Sequence, residues 1–354
     1  MFRCKIVIRC VKYFSRARPV PPGILRASLK IAIAILVLSA AVLTAPAQTA
    51  LARLPRVSIA GQDYVRLEDW ARGVSLQPKW LSKGELQITS KWSRVVFTVD
   101  QRKISLNGVN VWLSAPVAAR HGSLHVTPVD VTTVLQPVLF PKKLRAGQRV
   151  QNIVIDAGHG GKDPGNQEGR EQEKKYTLLL AKELAGQLAK AGFKPSITRN
   201  SDSFIELPNR SDLARRRGAD LFLSLHFNSG GRTSEETRGV EVYCLTPAKT
   251  SSTNARGEGA SAGSSAGNLQ NDKNMLLAHQ MQKSIVTRTG LADRGVRRAR
   301  FAVLRAAEMP AVLIEGGFMS SPSEARKIYD PDWRKQMAAA IVDGVKSYQK
   351  QVEP

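Results

Sequence analysis

Cysteine is nearly absent from this chain, with three in 354 residues. Cys4 and Cys10 fall within the first 52 residues, so a chain trimmed of that segment keeps Cys244 alone. That excludes an internal disulfide and a cysteine-built zinc site. Acidic residues are missing from residues 1–52, which carry Arg3, Lys5, Arg9, Lys12, Arg16, Arg18, Arg26 and Lys30. A long hydrophobic run is missing too, because the apolar stretch from Ile31 to about Leu43 falls short of the ~20 residues that a membrane span needs. A glycine is lacking where a dinucleotide-binding loop would need it: after Gly158 and Gly160 the third position of that fingerprint is Asp163.

What residues 1–52 do contain is a long basic region, then the short apolar stretch, then small residues with two A-x-A possibilities, Ala45-Pro46-Ala47 and Ala50-Leu51-Ala52. This order reads as a secretory signal cut near Ala52, the alternative being an uncleaved membrane anchor. It implies export across the inner membrane to the periplasm or cell wall, with no stable membrane span left after cleavage. The whole chain has a formal charge of +24, and removing the leader leaves about +16. Such a surplus favours a polyanionic surface without choosing among nucleic acid, anionic lipid and an acidic wall polymer.

Residues 53–138 read as a small, mostly β domain. Short alternating segments lie at 56–59, 85–88, 94–99, 103–106, 109–113 and 123–126, and Asn107-Gly108 marks a hairpin turn between two of them. One helix is expected at Arg66 to Gly73. A second is expected at Pro128 to Val134, capped by Thr127 and opened by a proline at its first position. His121 and His125 are two ligands at most, with no third nearby, so they read as solvated histidines. Residues 139–151, rich in basic residues, read as a linker.

From residue 152 to 354 the pattern becomes α/β. Strands are expected at 152–157, 195–199, 220–228, 239–245, 301–305 and 311–315. Helices are expected at 173–192, within 206–218, at about 274–289, at 323–329 and from Pro331 onward. Near-continuous apolar strands alternating with helices specify a mostly parallel central sheet flanked by helices. The segment 250–272, rich in Ser, Gly, Ala and Asn, has few apolar anchors and reads as a mobile loop.

Three strands of this domain deliver a chemically active residue at or just past their ends: His159, His226 and Glu315. Glu173 opens the first helix, where the helix dipole favours a carboxylate. Two histidines and one carboxylate make a catalytic zinc set, and the remaining carboxylate is then free to act on a water. Each residue has an ordinary reading as a solvated or satisfied polar group. Yet polar side chains at the ends of central strands are costly unless they are used.

The segments that carry these residues are I-D-A-G-H-G-G-K-D-P-G (155–165), E-K-K-Y-T-L (173–178), T-R-N-S-D (198–202), L-P-N-R (207–210), A-D-L-F-L-S-L-H-F-N (219–228), R-G-V-E-V-Y (238–243) and P-A-V-L-I-E-G-G-F-M-S (310–320). In this order, over residues 152–349, the chain resembles the zinc-dependent N-acetylmuramoyl-L-alanine amidases of the type 3 cell-wall family. The resemblance implies one Zn2+ per chain held by His159, Glu173 and His226, with Glu315 as the catalytic glutamate. It also makes Asn228, Arg210 and Gly316, within those motifs, candidates for substrate contact. It implies peptidoglycan as substrate, an envelope activator protein as a further partner, and no nucleic acid. The order of segments in residues 53–138 resembles the copper amine oxidase N-terminal-like domain, which is non-catalytic. That module is expected to aid retention on the wall, leaving the chemistry to the second. Competing readings are a zinc peptidase acting on the stem peptide, which would use the same ligands, and a non-catalytic wall-binding protein, which would be expected to lack one of the four groups.

Overall fold

Most of the alternating and continuous apolar segments of the sequence end up in one sheet. A computed structural model describes residues 51–231, 235–254 and 263–354, so the expected signal segment lies, but for its last two residues, outside the described residues. The sheet has eleven strands in the order β13-β10-β14-β17-β15-β16-β7-β6-β5-β4-β3. From the second part of the chain come β10 (Asn152–Ala157), β13 (Lys194–Ile197), β14 (Leu221–Asn228), β15 (Val240–Leu245), β16 (Asp293–Ala299) and β17 (Ala311–Phe318). The strands β13, β10, β14 and β17 run parallel, while β15 and β16 run the other way. From the first part, β3 (Gln77–Ser82), β4 (Glu85–Thr89), β5 (Arg94–Thr98), β6 (Lys103–Leu106) and β7 (Val109–Trp112) form an antiparallel meander. The Asn107-Gly108 turn joins β6 to β7 with both residues at positive φ, as a two-residue hairpin requires. A second sheet, in the order β1-β2-β9-β8, is built from Val57–Ile59, Gln62–Arg66, Ser123–Val126 and Ala118–Arg120.

Helices cover both faces of the second part. Along β10, Ile153 and Ile155 belong to the core shared with α3 (Glu173–Lys190), α5 (Asn271–Thr289) and α8 (Pro331–Val352). Val154 points the other way, into a smaller core with Ala214 of α4 (Leu207–Arg216) and Val303 and Leu304 of α6 (Ala302–Arg305). The last helix forms as its sequence indicates: Asp330 caps the backbone N–H groups of Asp332 and Trp333, and Trp333, Met337, Ile341, Val345 and Tyr348 are all buried. Each such side chain stabilises the fold by roughly 1.5–3 kcal/mol relative to exposure. Among the described residues no helix is long and apolar enough to cross a membrane.

Several expectations need correction. Where a strand is expected at 301–305 the chain forms the short helix α6, and the strand lies earlier, at Asp293–Ala299. This strand escapes a hydropathy reading because Arg297 and Arg298 sit in it, both buried. Arg298 donates to the Thr133 carbonyl and hydroxyl, and lies beside Asp130. The helix expected at 128–134 continues as α2 to residue 139, through a π-helical turn at Val131–Leu135. His125 is buried, not solvated.

The segment 250–272 is anchored wherever it is described. Thr253 is buried and exchanges hydrogen bonds with the backbone of Arg298, while Ser265 and Asn268 cap a 3-10 turn at Ala266–Gln270. Polar side chains bonded to backbone replace the apolar anchors that the sequence lacks. Residues 255–262 lie outside the described residues. The stretch 139–151, expected as a linker, is also fastened: Leu144 N–H donates to the Val352 carbonyl, and Val150 N–H donates to Glu353 Oε1.

Candidate metal centre and its frame

Strand β10 ends at Ala157 and the chain turns through Gly158, His159 and Gly160. His159 has φ +62°, a conformation that costs a non-glycine residue on the order of 1–3 kcal/mol and persists only when its surroundings hold it. Two arginines do so. Arg199 donates to the carbonyls of Ala157 and Gly158, and Arg210 donates to those of Ala157 and His159. Both lie over Asp156, whose buried carboxylate takes hydrogen bonds from Arg210, Thr198 and Ser224. Two glycines make room for the side chains that meet here. A Cβ on Gly158 would lie 2.5 Å from the His226 ring, and one on Gly165 would lie 2.6 Å from both Glu173 Oε2 and the His159 ring.

The His159 ring places Nδ1 2.8 Å from Asp163 Oδ2 and Nε2 3.1 Å from Glu173 Oε2. His226, near the end of β14, places Nδ1 3.0 Å from Glu173 Oε1. The two rings meet edge to face with centroids 4.8 Å apart. Glu173, the first residue of α3, is almost fully buried and accepts the backbone N–H groups of Phe227 and Asn166. Burial alone would raise its pKa, but the two histidines outweigh that and hold the carboxyl well below the usual range. Burial likewise opposes protonation of His159, and the carboxylates of Glu173 and Asp163 outweigh it and raise its pKa. One ligand atom from each of His159, Glu173 and His226 lies within 4.8 Å of the others. Three deprotonatable donors converging in this way, with the Asp163 carboxylate behind one histidine, suit a metal ion.

Glu315 lies on β17, in register with His226 on one side and with Glu241 of β15 on the other. Its Oε2 is shielded from solvent and has no hydrogen-bond partner among the described residues. Burial, and then the charges of Glu173 and Glu241, push its carboxyl well above its ordinary value. A buried, unpaired carboxyl oxygen beside three metal-type donors is a costly arrangement that makes sense if the oxygen has work to do on a bound molecule.

All four residues named from sequence thus come together. The three expected substrate contacts fare differently. Arg210 is 1% exposed and each of its three nitrogens is engaged by protein, so it frames His159 and is not free to meet a substrate. Gly316 faces the core: a Cβ there would meet Phe227 at 3.1 Å and Met337 at 3.5 Å. Asn228 turns its amide to Glu241 Oε2 at 3.3 Å. The sequence reading passed over Asp163, Asn166 and Arg199, which orient the set. They lie in loops or at a strand end, where no periodicity marks a residue as inward-facing, although Asp163 and Arg199 stand inside the quoted motifs.

The family model described as N-acetylmuramoyl-L-alanine amidase matches residues 153–347. The N-acetylmuramoyl-L-alanine amidase AmiC of Neisseria meningitidis is 35% identical over 230 residues, covering 59% of this chain and 55% of that protein. The match thus spans only about half the length of that relative. AmiA of Escherichia coli is 33% identical over 230 residues, covering 58% of this chain and 78% of its own. Among solved structures, an N-acetylmuramoyl-L-alanine amidase from Clostridium difficile is 32% identical with a TM-score of 0.48, covering 57% of this chain and 98% of that one.

Proposed function

From the premise that the chain belongs to the N-acetylmuramoyl-L-alanine amidase family, we propose that it is a zinc-dependent peptidoglycan hydrolase of the periplasm or cell wall. It cleaves the amide that joins the lactyl group of N-acetylmuramic acid to the L-alanine of the stem peptide. The observation that carries this reading is the convergence of His159, Glu173 and His226 beside the unpaired carboxyl oxygen of Glu315. Export rests on the basic, apolar and small-residue order of residues 1–52.

Zinc, when bound, polarises the scissile carbonyl and lowers the pKa of a water towards ~7. The protein supplies orientation and proton movement. Asp163 keeps the proton of His159 on Nδ1, so that Nε2 stays available as a ligand. The backbone N–H groups of Phe227 and Asn166 fix the Glu173 carboxylate between the two rings. Glu315 accepts the proton of the attacking water and returns one to the departing amine nitrogen, a transfer typically worth roughly 10² to 10⁴-fold in rate.

Glu315→Gln keeps the size of the side chain and removes the basic oxygen. The variant should bind about one zinc per chain and fold normally, while hydrolysis falls by at least about 10²-fold. Elemental analysis and mass spectrometry of muropeptide products check this. Loss of metal would make Glu315 a ligand, and products cut within the stem peptide would make the protein a peptidase.

A further inference from the structure

Across four strands a row of residues runs in register: His226 on β14, Glu315 on β17, Glu241 on β15 and Gly295 on β16. Next to Gly295 stands Arg294. We propose that Arg294 is a specificity-determining residue that reads a carboxylate on the peptide side of the substrate, next to the bond being cut. The proposal rests on the amidase reading, and it identifies which part of that substrate is recognised.

Glu241 is buried, and four groups converge on it. Arg294 donates from Nε to Oε1 at 2.6 Å, Tyr243 donates from its hydroxyl to Oε2 at 2.7 Å, Asn228 donates to Oε2 at 3.3 Å, and Arg297 forms an ion pair at 3.1 Å. One carboxylate therefore faces two guanidinium groups, which leaves a surplus positive charge beside Glu315. The two arginines are not equivalent. Arg297 has an 11% exposed side chain, lies over the Trp112 ring and donates from Nη1 to the Thr253 carbonyl. Its charge and shape are used within the protein.

Arg294 has a 31% exposed side chain and is tethered by Nε alone. Among the described residues no protein acceptor meets either of its Nη groups. Its guanidinium carbon lies 4.9 Å from the centroid of the Phe318 ring, and its backbone carbonyl accepts the indole N–H of Trp112 at 2.9 Å. The side chain is thus held by Glu241 and Phe318, and its backbone by Trp112, with its two outer nitrogens open among the described residues. A pre-oriented guanidinium fork is suited to bidentate binding of a carboxylate, and its order is established before the ligand arrives. In the substrate of the proposed reaction the sugar and lactyl side presents hydroxyls and neutral amides, whereas free carboxylates belong to the peptide. A surplus cation two strands away from Glu315 therefore selects the peptide side.

The test compares two soluble muropeptides that differ only in whether the residue following L-alanine carries a free carboxylate or its carboxamide, using the full chain loaded with zinc. The wild type should favour the carboxylate in kcat/KM. Arg294→Gln should reduce that preference by about 10-fold or more, chiefly through KM, since hydrogen bonds to charged groups are worth about 1.5–3 kcal/mol. Arg294→Lys, which keeps charge and loses the fork, should retain part of the preference. Zinc content and melting temperature should stay near the wild type. No preference in the wild type, or an equal loss on both substrates, would overturn the assignment while leaving the amidase reading intact. Failure of the wild type to cleave the lactyl amide of either substrate would overturn both.

Discussion

The two ends of the long sheet obey different rules. In the half that carries His226 and Glu315 the strands are buried on both faces, so β14 and β17 read as continuous apolar runs. In the other half β4, β5 and β6 alternate buried residues with half-buried or exposed ones, because the meander has one face in the core and one towards solvent. Each half looks like a domain with its own period. Yet β7 and β16 pair in parallel at Val111 and Val296, and the core runs on from Phe97, Leu106 and Val111 to Met275 and Leu276 of α5. Polar contacts close the seam as well: Asp293 accepts the Asn110 N–H at 2.8 Å, and a Cβ on Gly295 would lie 2.8 Å from the Asn110 carbonyl. A change of period along a sequence therefore marks a change of environment, not necessarily an end of cooperation. The strand at the seam is the one that carries Arg294 and Arg297.

Cutting the chain at this seam should have the largest effect. Residues 152–354 alone would expose an edge of β16 and the side of α5 that β6 and β7 cover, at roughly 1.5–3 kcal/mol for each buried side chain uncovered. We expect this fragment to be poorly soluble and to turn over soluble muropeptides far below the full chain, contrary to the division of labour read from the sequence. A melting temperature and turnover equal to those of residues 53–354 would show that the halves are independent after all.

A smaller, pH-dependent effect should come from His279, which bridges the halves by a hydrogen bond between its Nε2 and the Leu106 carbonyl at 2.9 Å. Burial pushes this imidazole down to about 4, the Leu106 bond opposing only in part, whereas the unfolded value is about 6.5. The folded pKa is the lower one, so the unfolded state binds the proton first. The contribution is fully present above about pH 6.5 and is lost as pH falls towards 4, amounting to about 2 kcal/mol lost at pH 5 relative to pH 7. Urea denaturation at the two pH values should show this fall, and His279→Gln should flatten it. An unchanged pH slope in the variant would remove His279 from the seam's energetics.

The smallest effect should follow from shortening residues 255–262. The flanking segments are held by Thr253 and by the Ser265–Asn268 cap, and loop-closure entropy changes by only about 0.6 kcal/mol per doubling of length. The melting temperature should shift by no more than about 2 °C, given that roughly 1 kcal/mol moves a domain of this size by 2–4 °C. A larger drop would show that this segment packs like the rest of the chain.

The readable parts of the site were those that obey a local rule. His159, His226 and Glu315 interrupt or terminate apolar strands, and Glu173 starts an apolar-striped helix, so each is conspicuous against its own neighbours. Arg199, Arg210 and Arg294 are not, because an arginine has the same local signature whether it braces a carbonyl, neutralises a buried carboxylate or faces a ligand. Strand β16 was misplaced for the same reason. Its arginines look like surface residues until Glu241, Asp130 and Thr133, distant in sequence, are brought against them.

The sequence by itself determined much of what depends on the spacing of side chains along the backbone: the continuous apolar strands, the stripe and cap of the last helix, and the four residues of the candidate site. Periodicity and turn chemistry are local, and one chain suffices to show them. The tertiary structure alone decided that the two halves share a sheet and that Arg210 is spent on His159, while among the described residues Arg294 keeps two nitrogens free and Glu315 an unpaired oxygen. Those outcomes depend on which distant groups desolvate one another, and burial and pairing are properties of the packed molecule.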